Sequence, residues 1–371
     1  MKKILILGGG AAGLAAAVQA SRGGAQVTLA ESAPRVGQKL LKTGNGRCNF
    51  TNLHVGPDGY NHPDFVRPAL ARYDCAAIRA FFEELGLSSY ADPAGRVYPR
   101  SDAAASVLDV LRLACRRHGV QIAESFEAVR LTGTQAQTKD GRTLSGDAVI
   151  VSTGGGTKLL AAAGHTLVPF SPVLCPLSTD TAPIRGLSGV RVRCALTLTR
   201  GGQTIAEESG ELLFRDYGVS GIAVFDLSRF AQPGDILHID LLPDLTAEQA
   251  SSLFEQRVQA LSWCPREEIL TGLFHKRVNE ALLRACGTDD ARLARAAKDF
   301  ALRVSGPAEP KQAQLTRGGA DISQFDPETL RSRLVPTLYA AGETLDIDGR
   351  CGGYNLHWAF ASGLCAAESA L

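Results

Sequence analysis

The sequence predicts an α/β protein whose two chain ends complete one nucleotide-binding layer while the middle of the chain is inserted into it. Three observations predict this. A short apolar run at the N-terminus meets a glycine-punctuated turn and an alanine-rich stretch. The C-terminus offers a second strand, a Gly-acid pair and a glycine-opened helix. Between them, strand signals give way to helical ones.

In KKILILGGGAAGLAAAVQASRGGAQVTLAE, Lys3 to Leu7 suits a buried parallel strand, and the alanine-rich stretch after it suits a helix as far as Arg22. Gly23 and Gly24 end that helix, and Gln26 to Ala30 reads as a second strand finishing at Glu31. Gly8, Gly10 and Gly13 form G-x-G-x-x-G. The first permits the tight turn, the second lets backbone approach a pyrophosphate, and the third lets helix pack on strand. The helix N-terminus would hold the phosphates, and Glu31 the ribose hydroxyls of an adenosine. With no basic residue directly beside Glu31, a free 2′-hydroxyl is favoured, which FAD and NAD satisfy equally.

Bulk composition narrows the class. The chain has 371 residues, 45% hydrophobic and 21% charged, with net charge +1. That balance is globular and lacks the basic footprint of a nucleic-acid binder. No apolar run is long enough to span a membrane. The opening MKKILIL resembles a signal peptide only until three glycines interrupt it. The nine cysteines are dispersed without a CxxC pair, which argues against a disulfide scaffold and against structural zinc. The expected location is cytoplasmic, and no metal is expected.

Near the C-terminus, Thr337 to Ala341 reads as a strand, followed by Gly342 and Glu343, and Gly352-Gly353 opens a helix running to the chain end. Such a return completes the site of many FAD enzymes. The acid faces the ribityl chain, and the helix N-terminus faces the flavin edge where negative charge collects on reduction. NAD-only dehydrogenases need no such return, so FAD is the better reading. Strand signals dominate from Pro172 to Leu242 and helical patterning from Thr246 to Val304, with Thr246 and Gln249 spaced as a capping box. CAAIRAFFEELG reads as helical, and TLSGDAVIVSTGGG as a strand leading to Thr153-Gly154, a turn that commonly covers FAD.

GNGRCNFTN, GRVYPRSDAAASVLDVL, GELLFRDYGVSG, LTRGGADISQFDPETLRSRLVP and AAGETLDIDGRCGGYNLHWAFASG follow one another along nearly the whole chain. With them the sequence resembles the bacterial flavoproteins of the BaiN and YhiN type, also called HI-0933-like or aminoacetone-oxidase-like. The resemblance implies a Rossmann-like FAD-binding domain built from residues 1–170 and 311–371. It also implies an inserted β-barrel over 171–245 and a small helical subdomain over 246–310. FAD contacts are then expected at Gly8, Gly10, Ala12, Gly13, Glu31, Lys39, Gly46, Arg47, Cys48, Asn49, Ala128, Thr153 and Gly154, and at Gly342, Glu343, Gly353, Tyr354, Asn355 and Leu356.

The tripeptide GRC occurs twice, at Gly46 to Cys48 and at Gly349 to Cys351. The reading adopted is two loops from opposite chain ends converging on one ligand. Arg47 would neutralise phosphate or pair with a substrate carboxylate. A Cys48–Cys351 redox pair, one flavin-facing thiolate, and a shared metal site are the alternatives. Arg47, Cys48, Cys351, Tyr354 and His357 are candidates for catalysis, although a buried or capping role fits His357 at least as well. Tyr217 and Tyr354 are proton donors by type for which packing is the stronger reading. Two departures from the family pattern stand out. Thr153 to Thr157 runs almost directly into KLLAAAGH where relatives carry a longer loop, and His357 stands where glutamine is common.

No second G-x-G-x-x-G follows a strand, so NADPH or NADH would dock only transiently. The first functional expectation is hydride transfer to a conjugated C=C of a steroid- or bile-acid-like enone. The alternatives are oxidation of a small amine such as aminoacetone, and a non-enzymatic flavin-binding redox protein. The partner expected is a small-molecule substrate, with neither nucleic acid nor membrane.

Overall fold

The computed structural model describes residues 1–309 and 313–371. The expected boundary between 310 and 311 lies outside the described residues. The chain divides into two compact units, one of Met1–Ser171 with Thr316–Leu371 and one of Pro172–Leu315.

The first unit is built on a five-stranded parallel sheet. Its order is Leu338–Ala340, Ala148–Val151, Lys3–Leu7, Gln26–Ala30 and Gln121–Ala123. The strand order places the C-terminal strand beside Ala148–Val151 and one place from the N-terminal strand, so both chain ends enter one layer. Ile4 to Leu7 and Ala148 to Val151 are buried, as expected of parallel strands covered on two faces. The helix Ala11–Arg22 and the C-terminal helix Tyr354–Ala370 pack together on this sheet. Their crossing is close because Gly363 faces the Ala12 carbonyl, where a Cβ would lie 2.3 Å from the oxygen. Two small antiparallel sheets decorate this unit, Thr51–Asn52 with Arg96–Pro99 and Ser89–Ala91, and Ala128–Thr132 with Gln135–Thr138 and Thr143–Ser145. The segment CAAIRAFFEELG supplies a helix, Cys75–Glu84, N-capped by Asp74.

The second unit is a closed six-stranded barrel with helices. Its strands run in the order Leu177–Thr179, Gly218–Ser220, Gln203–Arg215, Arg191–Arg200, Ile236–Asp240 and Phe300–Pro307. Gly201 and Gly202, at φ 56° and 82°, make the hairpin turn between the two longest strands, where both central residues need positive φ. Thr246 and Gln249 form the capping box that starts the helix Ala247–Ala260. The reading of ARLARAAKDFALRV as helical through Val304 is corrected here. The helix Asp290–Lys298 stops before Asp299, and Phe300–Pro307 is the strand that closes the barrel. Phe300, Leu302 and Val304 are buried at a period of two while Leu293, Ala294 and Ala297 follow the helical period, so the change of period marks the change of element. Helices and barrel share one hydrophobic core, in which Phe254, Val278 and Leu293 join Leu237, Ile239 and Leu302. Among the described residues no helix is long and apolar enough to cross a membrane.

Candidate functional site

The glycine-rich turn separates glycines that the chain requires from one that it does not. Gly8 has φ 106°, and a Cβ there would lie 2.4 Å from the Ser152 carbonyl oxygen. A Cβ on Gly13 would lie 1.9 Å from the Gly8 carbonyl oxygen. Both positions exclude side chains for reasons internal to the fold. Gly10 keeps an ordinary φ of −82°, and a Cβ there would meet nothing within 4 Å. The protein leaves space at Gly10, at the N-terminus of Ala11–Arg22. That helix has neither a side-chain cap nor an acid in its first turn. Uncapped amides beside open space fit an anion such as a pyrophosphate.

Glu31 stands beside this turn. Its Oε2 accepts from the Gly9 N–H at 2.7 Å, and its Oε1 from the Ala33 N–H at 2.8 Å and the Ser32 hydroxyl at 3.1 Å. A carboxylate has about four lone-pair sites, so capacity remains for a ribose hydroxyl. The Phe126 N–H donates to the Glu31 carbonyl at 2.8 Å, which brings half-buried Ala128 into the same region.

A second cluster joins three distant segments. Lys39 Nζ lies 3.4 Å from Glu343 Oε2, and a Cβ on Gly154 would lie 3.6 Å from each of those atoms. The Gly154 N–H donates to Thr344 Oγ1 at 3.2 Å, and the Thr153 hydroxyl turns inward to the Gly156 carbonyl at 2.8 Å. Gly342, at φ 66°, abuts Ala12, with a hypothetical Cβ 3.1 Å from the Ala12 Cβ. Glu343 and Gly154 thereby stand close to the start of the first helix.

The two GRC loops meet. The Asn52 side-chain amide donates to the Gly352 carbonyl at 2.8 Å. Gly353, at φ 104°, begins the C-terminal helix, and a Cβ there would lie 2.5 Å from the Thr51 carbonyl oxygen and 2.8 Å from Asn49 Oδ1. Asn355 folds back onto its own loop, accepting from the Gly349 N–H at 2.7 Å and donating to the Gly349 carbonyl at 2.9 Å. Leu356 is half-buried on the first turn. This helix also has no side-chain cap and no acid in its first turn. Leading into and through the first GRC, Gly44, Asn45, Gly46 and Cys48 all have positive φ, the last at 57°.

Several candidate residues are buried or bonded within the fold. Cys48 is fully buried, and desolvation pushes its thiol up to about 12 against a weaker opposing bond from Thr43. Burial disfavours a thiolate there, and neither Cys48 nor half-buried Cys351 is part of a disulfide. His357 is fully buried and bonds Thr51 Oγ1 through Nδ1 at 2.8 Å, while Nε2 has no partner in hydrogen-bond geometry. Burial lowers its pKa to about 4, outweighing the opposing Tyr73 backbone and Asp74 charge. Burial favours its neutral form. Tyr354 is buried and donates its hydroxyl to the His54 carbonyl at 2.9 Å. Tyr217 lies in the barrel unit with its hydroxyl 3.4 Å from Glu309 Oε2. Among the described residues no group of three or more His, Cys, Asp or Glu side chains could hold a metal ion.

Sequence reasoning missed the residues that brace these loops. Ser152 Oγ lies 3.1 Å from the Leu7 carbonyl and 3.0 Å from that of Gly8, clamping the glycine turn. Fully buried Asp348 takes a two-pronged bond from Arg317 at 2.7 and 3.1 Å, and Asp346 accepts from the Gly318 N–H at 3.0 Å. The DIDGR and LTRGG stretches carry these residues, but no spacing rule connects them.

The family described as HI0933-like protein Rossmann domain matches residues 2–369. A 3-dehydro-bile acid delta(4,6)-reductase of Clostridium scindens is 35% identical, covering 100% of this chain and 99% of that protein. Proteins named ribosomal RNA dihydrouridine synthase are 29% identical in Escherichia coli and 30% in Haemophilus influenzae, each covering 98% of this chain. Among solved structures, a 3-ketosteroid-delta4-(5alpha)-dehydrogenase of Rhodococcus jostii aligns over 100% of this chain and 97% of that chain at TM-score 0.49 and 16% identity.

Proposed function

Since the chain belongs to the HI0933-like family and is an FAD-dependent oxidoreductase, we propose that it reduces a carbon–carbon double bond conjugated with a carbonyl. The observation that carries this reading is the end-to-end likeness to relatives whose names describe one chemistry. A bile-acid Δ4,6 reduction and the formation of dihydrouridine both add hydrogen across an alkene conjugated with a carbonyl. The steroid-like enone is the first choice because the 35% relative is the more similar. Uridine in RNA is the second reading, favoured by the other two relatives.

The residues fit the cofactor. The open space at Gly10 and the amides of Ala11–Arg22 would hold the pyrophosphate, Glu31 the adenosine ribose, and the Gly154–Glu343 cluster the chain between phosphate and ring. Bound FAD supplies the hydride, renewed by NADPH or NADH docking transiently. The N-terminus of the 17-residue helix Tyr354–Ala370 is its positive end and would stabilise negative charge on the ring edge. The Arg317–Asp348 pair and the Asn355 fold-back keep the loop before that helix in place, so these amides are oriented before substrate arrives.

The test is anaerobic. Protein reduced with one equivalent of dithionite is mixed with a 3-oxo-4-ene steroid or with uridine-containing RNA. Recovery of the oxidised flavin bands, with a product heavier by two hydrogens, is expected for one of them. Reduced flavin that ignores both and is reoxidised only by oxygen, with peroxide formed, overturns the proposal.

A further inference from the structure

We infer that Arg47 is an anion anchor that selects, among conjugated carbonyl substrates, those bearing an oxyanion, a carboxylate or a phosphodiester. This rests on the reductase reading above and adds a specificity-determining residue to it.

Four observations converge. The guanidinium carbon of Arg47 lies 4.5 Å above the Tyr98 ring, and Tyr98 stacks on Tyr90 at 5.9 Å with 29° between planes. The Tyr90 hydroxyl donates to Asp102 Oδ1 at 2.7 Å, and the same oxygen lies 3.9 Å from Arg47 Nη1. The guanidinium sits over the ring, yet the arginine side chain stays 48% exposed, and an exposed ion pair of that length contributes little. A stacked guanidinium keeps its in-plane N–H forks free for a carboxylate or phosphate.

The backbone beneath this side chain is strained. Asn45 and Cys48 flank Arg47 at φ 55° and 57°, and its partner Asp102 has φ 49°. Non-glycine residues adopt this region at a cost, retained where surrounding structure over-determines them. The sequence around Arg47 is basic, although Asp102 and Glu343 face Arg47 and Lys39 across the fold. From Ser32 to Pro57 the chain carries Arg35, Lys39, Lys42 and Arg47 and no acid, although the whole protein has net charge +1. The position is appropriate too, since Asn49, two residues on, touches Gly353 at the start of the C-terminal helix.

The experiment measures equilibrium binding to the flavin-loaded protein through shifts of its absorption bands. A saturated steroid carboxylate is compared with its methyl ester, and a uridine oligoribonucleotide with free uridine. Wild type is expected to bind one anionic probe about tenfold or more tightly than its neutral counterpart, the scale of a charge-assisted hydrogen bond. Which probe shows the preference identifies the oxyanion. Arg47→Gln is expected to abolish the ratio, and Arg47→Lys to restore only part of it, having charge without the planar fork. Tyr98→Leu, which removes the platform and leaves the charge, is expected to lower the ratio and in turnover to raise KM more than it lowers kcat. Absence of any anion preference in wild type overturns the assignment, as does an unchanged ratio in Arg47→Gln. Arg47→Gln protein that folds but purifies without flavin also overturns it, by placing the arginine on the cofactor. If Arg47→Gln does not fold, the Lys and Tyr98→Leu ratios decide. A ratio that falls as expected in protein that reduces neither alkene sinks the reductase reading and leaves the anchor standing.

Discussion

A methyl group added to Gly13 would press its carbon 1.9 Å from the Gly8 carbonyl oxygen, which no rearrangement short of moving helix from strand relieves. Gly13→Val is therefore expected to cost about 3 kcal/mol or more and to lower the urea midpoint, or to abolish soluble expression. His357 gives a second residue-scale prediction, on pH. Its ordinary value is 6.5 and burial lowers it to about 4, so between those values the unfolded chain binds a proton that the folded protein does not. Folded stability from this residue is fully present above pH 6.5 and is lost as pH falls through that window, by up to about 3 kcal/mol. Urea unfolding at pH 7.5 and 5 should show a larger loss for wild type than for His357→Gln. Equal losses would mean that His357 is not the buried neutral group described. The roles of Gly8 and Gly13 were legible because a glycine that avoids a clash recurs at fixed spacing. What covers His357 and Cys48 was not, because those segments are distant in sequence, as the Thr51–His357 bond shows.

Between elements, the decisive contact is the crossing of Ala11–Arg22 and Tyr354–Ala370. Gly363 lets the helices approach until a Cβ would lie 2.3 Å from the Ala12 carbonyl oxygen. Gly363→Val should push the C-terminal helix away from the first, lowering stability by about 1–3 kcal/mol and weakening flavin retention together. Loss of stability with full flavin content would uncouple this crossing from the site. In the barrel unit, Thr246→Ala removes one half of a reciprocal cap and should cost about 1 kcal/mol by urea unfolding, without change in flavin content. The cap was legible because its residues are three apart. The barrel's closing strand was not. Alanine-rich helix runs into Phe300 with only Asp299 between, and no glycine or proline marks the boundary. Strand pairing with Leu177–Thr179 and Ile236–Asp240, both distant in sequence, decides the outcome there.

For the molecule as a whole, the order of the parallel sheet explains why a chain of this length brings both termini to one layer. The N-terminal strand lies between Gln26–Ala30 and Ala148–Val151, and the C-terminal strand pairs with the latter. That arrangement was legible because each end carries its own strand, turn and glycine-opened helix. The polar bracing of the second GRC loop by Arg317 and Asp348 was not, since it depends on neighbours that only the folded chain supplies. The central claim is that this layer holds FAD across the glycine turn, and Gly10 tests it most directly because the protein itself leaves that position open. The measurement is the visible absorption spectrum of purified wild type and Gly10→Val, each after incubation with FAD and gel filtration, beside their urea unfolding curves. Flavin bands are expected in wild type, with a colourless variant that unfolds at the midpoint of flavin-free wild type. A folded Gly10→Val protein with full flavin occupancy would contradict it.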